Sequence, residues 1–234
     1  MFDSAALRAR LVGVRDRIAR AAGRAGRDPA SVRLIAVSKT FSADHVRAAA
    51  DAGQLDFGEN KVQEGLLKMT QTADLRLRWH LLGHLQSNKA RKAAQFHAIH
   101  SVDTDGLLGK IDDAASETGR PVAVLIQVDI AREPTKYGAS PDQVRPIVER
   151  AVSCRAATLN GLMVLPPAAD DPEEVRPHFA ALRALREDLL AEGVDPTRLS
   201  ELSMGMSHDF EVAIEEGATM VRVGSAIFGP RTAL

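Results

Sequence analysis

Apolar and polar positions alternate along this chain in two periods that take turns. Leu7, Leu11, Val14 and Ile18 recur at steps of three and four, with arginines, Asp3 and Asp16 on the remaining faces. That spacing predicts an amphipathic helix that docks one stripe onto a core. Short β-branched runs then alternate with longer helical stretches. The predicted strands are Arg33–Ser38, Leu55–Gly58, Arg78–Gly83, Ala98–Val102, Val122–Asp129, Leu159–Leu165, Leu199–Met204 and Met220–Phe228. Several are almost continuously apolar, as parallel strands covered by helices are. Between them, Val175, Phe179, Leu182, Leu185 and Leu189 mark a helix preceded by Asp170-Asp171-Pro172. Phe210, Ala213 and Ile214 mark another, which ends at Gly217.

Eight alternating units predict an α/β fold of one kind, a single (β/α)₈ TIM-type barrel with an extra N-terminal helix. An open doubly wound sheet is the alternative. No repeat, low-complexity tract or linker divides the 234 residues, so residues 1–234 read as one domain, with 1–28 as the helix packing on the barrel. In such barrels the active site lies at the C-terminal ends of the strands. Polar residues that directly follow an apolar run therefore become the candidates.

Lys39 closes the run RLIAVSK and should project into the barrel mouth. Partial desolvation there would free a neutral amine for Schiff-base chemistry. The same position also suits a surface lysine beginning a loop. SMGMSHDFEVAIEEG reads as a strand end, a turn and a helix starting near His208, with Ser207 as its N-cap. A helix N-terminus there suits a phosphate, and Gly224-Ser225 offers close backbone approach and a hydroxyl. Simple capping is the plainer reading of Ser207. Closing the barrel would bring Lys39 beside both loops, an arrangement that fits a phosphorylated aldehyde.

Composition removes several function classes. Net charge is −1, so nothing global draws the chain to nucleic acid or to an anionic membrane. No apolar run approaches the ~20 residues of a membrane span. The lone Cys154 cannot form an internal disulfide and suits a reducing, cytoplasmic compartment. His80 and His84 lie too far apart on a strand to share a metal, and His97 and His100 lack a ligand pattern, so no metal site is expected. The basic run Asn88–Lys92 reads as a solvated helix face, and nothing aims Tyr137, the only tyrosine, at a ligand.

The segments AVSKT, FGENKVQE, WHLLGHLQSNK, GLM and MGMSHDFEVAIEEGATMVRVGSAIFG occur in this order. Together they resemble the pyridoxal phosphate homeostasis protein family, the YggS-like proteins, over about Leu34 to Gly229. The resemblance implies pyridoxal 5′-phosphate (PLP) as cofactor, with Lys39 as the Schiff-base lysine. It also implies that Ser207, Gly224 and Ser225 bind the phosphate and that Arg222 faces the pyridine nitrogen. Asn60, His80 and Met204 are expected to line the pocket. Ser225 stands where many relatives carry threonine, which keeps the hydroxyl. The Gln86, Asn88 and Lys89 motif is left with an open role at the barrel mouth. From the residues alone, Arg222 could instead pair with a carboxylate such as Glu201.

The resemblance extends to the N-terminal barrel of alanine racemase, which adds a β-rich domain carrying a second base. The sequence ends a few residues after the eighth predicted strand, so that domain is not expected here. The leading expectation is a monomeric carrier that stores, buffers or delivers PLP, with apo PLP-dependent enzymes as candidate recipients and no catalytic residue. The alternatives are a small PLP-dependent amino-acid racemase using Tyr137 or a histidine, and a barrel enzyme acting on a sugar phosphate without PLP.

Overall fold

The computed structural model describes residues 3–132 and 137–230. Eight parallel strands close into a barrel in sequence order. They are β1 (Arg33–Val37), β2 (Asp56–Glu59), β3 (Arg78–Leu81), β4 (Ala98–Val102), β5 (Val122–Val128), β6 (Ala157–Val164), β7 (Glu201–Ser203) and β8 (Met220–Val223). The helices are α1 (Ser4–Arg24), α2 (Ala43–Asp51), α3 (Val62–Gln71), α4 (Ala90–Ala93), α5 (Asp105–Thr118), α6 (Pro141–Val152), α7 (Arg176–Ala191), α8 (Phe210–Glu215) and α9 (Ser225–Phe228). The (β/α)₈ expectation holds, and β8 pairs with β1 to complete the ring.

The predicted stripe of α1 is buried: Leu7 and Leu11 are fully covered, and Val14 and Ile18 nearly so. Each such side chain stabilises the fold by about 1.5–3 kcal/mol relative to leaving it in water. Asp3 caps this helix by accepting from the backbone N–H groups of Ala5 and Ala6. α1 packs against α2, α8 and α9. The last two are short, so α1 supplies the cover that they do not give β8 and β1. Arg10 donates to the Ile227 carbonyl of α9, and Arg27 to the Ile214 carbonyl of α8.

Three sequence expectations need correction. The run Met220–Phe228 is not one strand: β8 stops at Val223, and Ser225–Phe228 is a turn of helix. Gly224 (φ −114°, ψ −79°) breaks the extended backbone between them. β7 is shorter than Leu199–Met204, because Pro196–Leu199 forms a 3₁₀ turn behind Asp195, which caps it. Asp209, not Ser207, holds the N-cap position of α8, and its carboxylate turns back to accept the Met206 N–H of the preceding loop rather than a helix N–H.

Side-chain alternation along the strands divides the barrel interior in two. Ile35, Val37, Leu82, Leu125, Met163 and Met220 form one apolar cluster. His80, His100, Ser203 and Arg222 form a polar, buried strip beside it.

Candidate functional site

Lys39 stands at the corner of a tight turn just past the end of β1. The turn is closed by the Phe41 N–H donating to the Ser38 carbonyl at 3.0 Å. Thr40 adopts φ +71°, a region that disfavours β-branched residues, so this backbone is held by its surroundings. The holding groups are visible. Lys68 on α3 donates to the Ser38 carbonyl at 2.7 Å, to Glu59 at 2.7 Å and to Glu64 at 2.8 Å. Glu64 in turn accepts the Thr40 N–H at 2.6 Å, and Glu59 accepts the Ser38 hydroxyl at 2.6 Å. The peptide units on both sides of Lys39 are thus clamped by one buried ionic cluster. Burial pushes the Glu59 carboxyl up from its ordinary range, although Lys68 and Ser38 oppose this. The Phe41 ring stacks on Phe228 of α9 at 5.2 Å, which ties the Lys39 turn to the loop after β8.

That loop carries the second half of the site. Ser207, in the loop after β7, accepts the backbone N–H groups of Gly224 and Ala226 at 3.1 and 3.4 Å. Its hydroxyl therefore joins the two loops. Gly224 lies so close to β1 that an added Cβ would stand 3.2 Å from the Val37 carbonyl.

Lys39, Asn60, Ser207, Arg222, Gly224 and Ser225 line one cavity of about 430 Å³ at the C-terminal mouth of the barrel. Val37, Leu82, Leu165 and Met206 give it apolar walls, and His208 stands at its edge. The volume suits a small cofactor. Arg222 forms part of the floor. Its guanidinium donates to Ser203 at 2.7 Å and to the Val164 carbonyl at 2.8 Å, not to Glu201. Glu201 instead pairs with Arg33 and accepts from Thr219. Burial lowers the Arg222 pKa to about 10, with Asp209 acting in the opposite sense, so the group stays charged at neutral pH.

Two expected lining residues lie elsewhere. His80 and Met204 are fully buried and outside the cavity wall. His80 points inward from β3, one layer below the mouth, and bonds to His100 and Asp56. Gln86, Asn88 and Lys89 are also outside the wall, on an exposed 3₁₀ turn before α4. Tyr137 stacks on His84 at 3.6 Å and is likewise not part of the wall. Among the described residues no group of three His, Cys, Asp or Glu side chains could hold a metal. No described helix is long and apolar enough to cross a membrane.

Sequence reasoning missed the Lys68 cluster, His208 and the interior partners of Arg222. One signal for Lys68 was present. It falls with Val62 and Gly65 on the buried face of α3, four residues after Glu64.

Comparison with known proteins agrees with this geometry. The family model described as alanine racemase, N-terminal domain, matches residues 10–232. A pyridoxal phosphate homeostasis protein of Aquifex aeolicus is 42% identical over 223 residues, covering 95% of this chain and 97% of its own. One from Pseudomonas aeruginosa is 43% identical over 216 residues, with 92% and 91% covered. PipY of Synechococcus elongatus, solved with PLP bound, superposes with a TM-score of 0.84 at 40% identity, covering 95% of this chain and all of that one. An alanine racemase from Streptomyces coelicolor shares the fold at 21% identity, with a TM-score of 0.76, and this chain spans 59% of its length. The chain belongs to the alanine racemase N-terminal domain family and, within it, to the pyridoxal phosphate homeostasis proteins.

Proposed function

We propose that this protein binds PLP in the cavity at the barrel mouth, as a Schiff base on Lys39, and serves to store, buffer or deliver it with little or no turnover. The observation that carries the reading is the placement of Lys39, Arg222 and the Ser207–Gly224–Ser225 loops around one cavity. The residues present fit the cofactor. Val37, Leu82, Leu165 and Met206 offer apolar surface to an aromatic ring. The joined loops offer hydroxyls and closely approaching backbone to a phosphate. PLP supplies an aldehyde that condenses reversibly with a primary amine. Lys39 provides that amine, its backbone fixed by Lys68 and Glu64. Arg222, charged in the floor, would hold the ring-nitrogen end of the cofactor and disfavour protonation there, which would make the ring a poor carbanion sink. Asn60, on the same cavity wall, would offer a polar contact to the bound cofactor. His80 supports the floor from beneath through His100 and Ser203, whereas Met204 faces the core between barrel and helices.

Racemisation needs two proton-transferring groups on opposite faces of the substrate carbon. Beside Lys39, the cavity wall offers His208, whose Nε2 bonds to the Asp170 carbonyl at 2.8 Å. A small PLP-dependent amino-acid racemase using His208 is therefore the second reading. On the first reading the protein works in the cytoplasm as a monomer and passes PLP to apo forms of PLP-dependent enzymes.

Absorbance spectra of the protein with added PLP, for wild type and Lys39→Ala, test the binding. A visible band in the wild type that the variant lacks is expected; no band in the wild type would overturn the reading. Exchange of α-deuterium in amino acids then separates carrier from enzyme. Exchange no faster than with free PLP is expected, and fast exchange lost in His208→Ala would establish the racemase.

A further inference from the structure

Beneath the cavity floor, side chains from five strands form one continuous hydrogen-bonded chain. Arg222 on β8 donates to Ser203 Oγ on β7 at 2.7 Å. Ser203 Oγ lies 2.9 Å from His100 Nδ1 on β4, and His100 Nε2 lies 2.9 Å from His80 Nδ1 on β3. His80 Nε2 lies 3.0 Å from Asp56 Oδ1 on β2. Asp56 closes the chain on Arg78, which donates to it twice, at 2.7 and 2.5 Å. Asp56 and Arg222 are 4% exposed, and the three residues between them are fully buried. The far end opens on a separate cavity of about 450 Å³, lined by Asp56, Arg78, Arg15, Arg33 and Gln54 among others.

The direction of every link follows from its two ends. A guanidinium only donates and a carboxylate only accepts. Burial favours the neutral acid at Asp56, but bonds from Arg78 and His80 outweigh it and hold the carboxyl well below its usual range. His80 must then donate from Nε2, which leaves Nδ1 of the neutral ring to accept. His100 donates to it from Nε2 and accepts at Nδ1. Ser203 gives its hydroxyl hydrogen to His100 and accepts from Arg222.

The neutral state of both rings has independent support. Burial lowers both imidazoles, His100 well below its ordinary value; Asp56 opposes this at His80. The surrounding groups Arg33, Arg78, Arg222 and His97 all disfavour a second proton on one ring or the other. With one hydrogen per ring, the chain is satisfied in one direction only, from Arg222 towards Asp56.

We propose that Asp56, His80, His100 and Ser203 are positioning residues that fix Arg222 in the cavity floor and carry to it the charge state of the Asp56–Arg78 pair at the opposite end of the barrel. What Arg222 then acts on rests on the PLP reading; the chain itself does not. Removing the Asp56 charge leaves Arg78 unbalanced and makes the floor more positive. Removing the Arg78 charge does the opposite.

Two measurements on ligand-free protein labelled with ¹⁵N test the chain. At pH 7.5 both His80 and His100 should be the Nε2–H tautomer, assigned with His80→Gln and His100→Gln. A Nδ1–H tautomer or a doubly protonated ring at either position would overturn the proposal. The Arg222 Nε–H resonance should move in Arg78→Gln and return in Arg78→Lys; an unmoved resonance would overturn the transmission. In PLP-loaded protein, the pH midpoint of the visible band should fall in Asp56→Asn and rise in Arg78→Gln, each by about half to one pH unit. General loosening of the barrel would move both the same way, and that result contradicts the proposal. A wild type that forms no visible band would defeat the PLP reading alone, with the two ligand-free measurements still deciding the chain.

Discussion

The ammonium of Lys68 lies 2.7 Å from the carbonyl oxygen of Ser38 and donates to it, so a buried lysine on α3 grips the peptide that precedes Lys39. The same ammonium neutralises Glu59, a fully buried carboxylate, and reaches Glu64, which grips the peptide that follows. Two lysines thus divide the work at the barrel mouth. One is held in a strained turn facing the cavity; the other holds the turn.

Lys68→Met should therefore be costly. It leaves Glu59 buried with the Ser38 hydroxyl as its remaining polar contact among the described residues. Removing one partner of a buried ion pair typically costs about 3–5 kcal/mol. Urea unfolding should show a loss of that size, and Lys68→Met with Glu59→Gln should recover part of it. A loss below about 1 kcal/mol would mean that the cluster is not the clamp.

Ser207→Ala removes the acceptor shared by Gly224 and Ala226. Leaving partly buried donors unpaired costs about 1–3 kcal/mol. PLP affinity, followed by absorbance titration, should fall about tenfold or more. Ser207→Thr keeps the oxygen and should retain most of the affinity. Equal losses in both variants would assign the effect to space rather than to the hydroxyl.

Gly83 follows β3 where the chain passes the backbone of Asn60. A methyl group there would run into the Asn60 carbonyl. Gly83→Ala should destabilise the protein by about 1–3 kcal/mol and weaken PLP binding by displacing Asn60. Thermal unfolding and the same titration check both effects; stability lost with affinity intact would remove Asn60 from the site.

The buried imidazoles make stability depend on pH. Burial places the folded-state pKa of His80 and His100 below the unfolded value of about 6.5. The unfolded chain therefore takes up protons first as pH falls. The stabilisation is complete above about pH 6.5 and is lost as pH drops below it, by up to about 1.4 kcal/mol per histidine for each unit. Urea midpoints at pH 7.5 and 5.5 should differ accordingly, and less so in His100→Gln. Equal midpoints in the wild type would contradict neutral, buried rings. Asp56 and Asp112 act in a separate, more acidic window. Both carboxyls sit below their ordinary range, Asp112 through three backbone N–H groups at the start of β6, so their contribution fades only below about pH 4.

The barrel was legible because its signals are periodic and local. The α1 stripe, the order of eight strands and the position of Lys39 all follow from spacing along the chain. The end of β8 was not, because Ala226, Ile227 and Phe228 continue an apolar run while the turn is made by Gly224 and braced by a hydroxyl 17 residues earlier. His80 is expected to line the pocket but lies a layer below it, because its depth depends on how the strands stagger around the ring. Arg222 is a candidate from the sequence, yet its partners Ser203 and Val164 come from different strands, and Ser203 in turn meets His100, 103 residues away in sequence. Lys68 joins β1, β2 and α3, a relation that helical spacing reveals only in its Glu64 link.

The central claim is that Lys39 is the amine that holds PLP. Borohydride reduction of the PLP-loaded protein, followed by peptide mapping by mass spectrometry, tests it most directly. A single reduced pyridoxyl group on the peptide containing Lys39 is predicted. A label on Lys61, Lys68 or Lys89 with Lys39 unmodified, or no label at all, would contradict it.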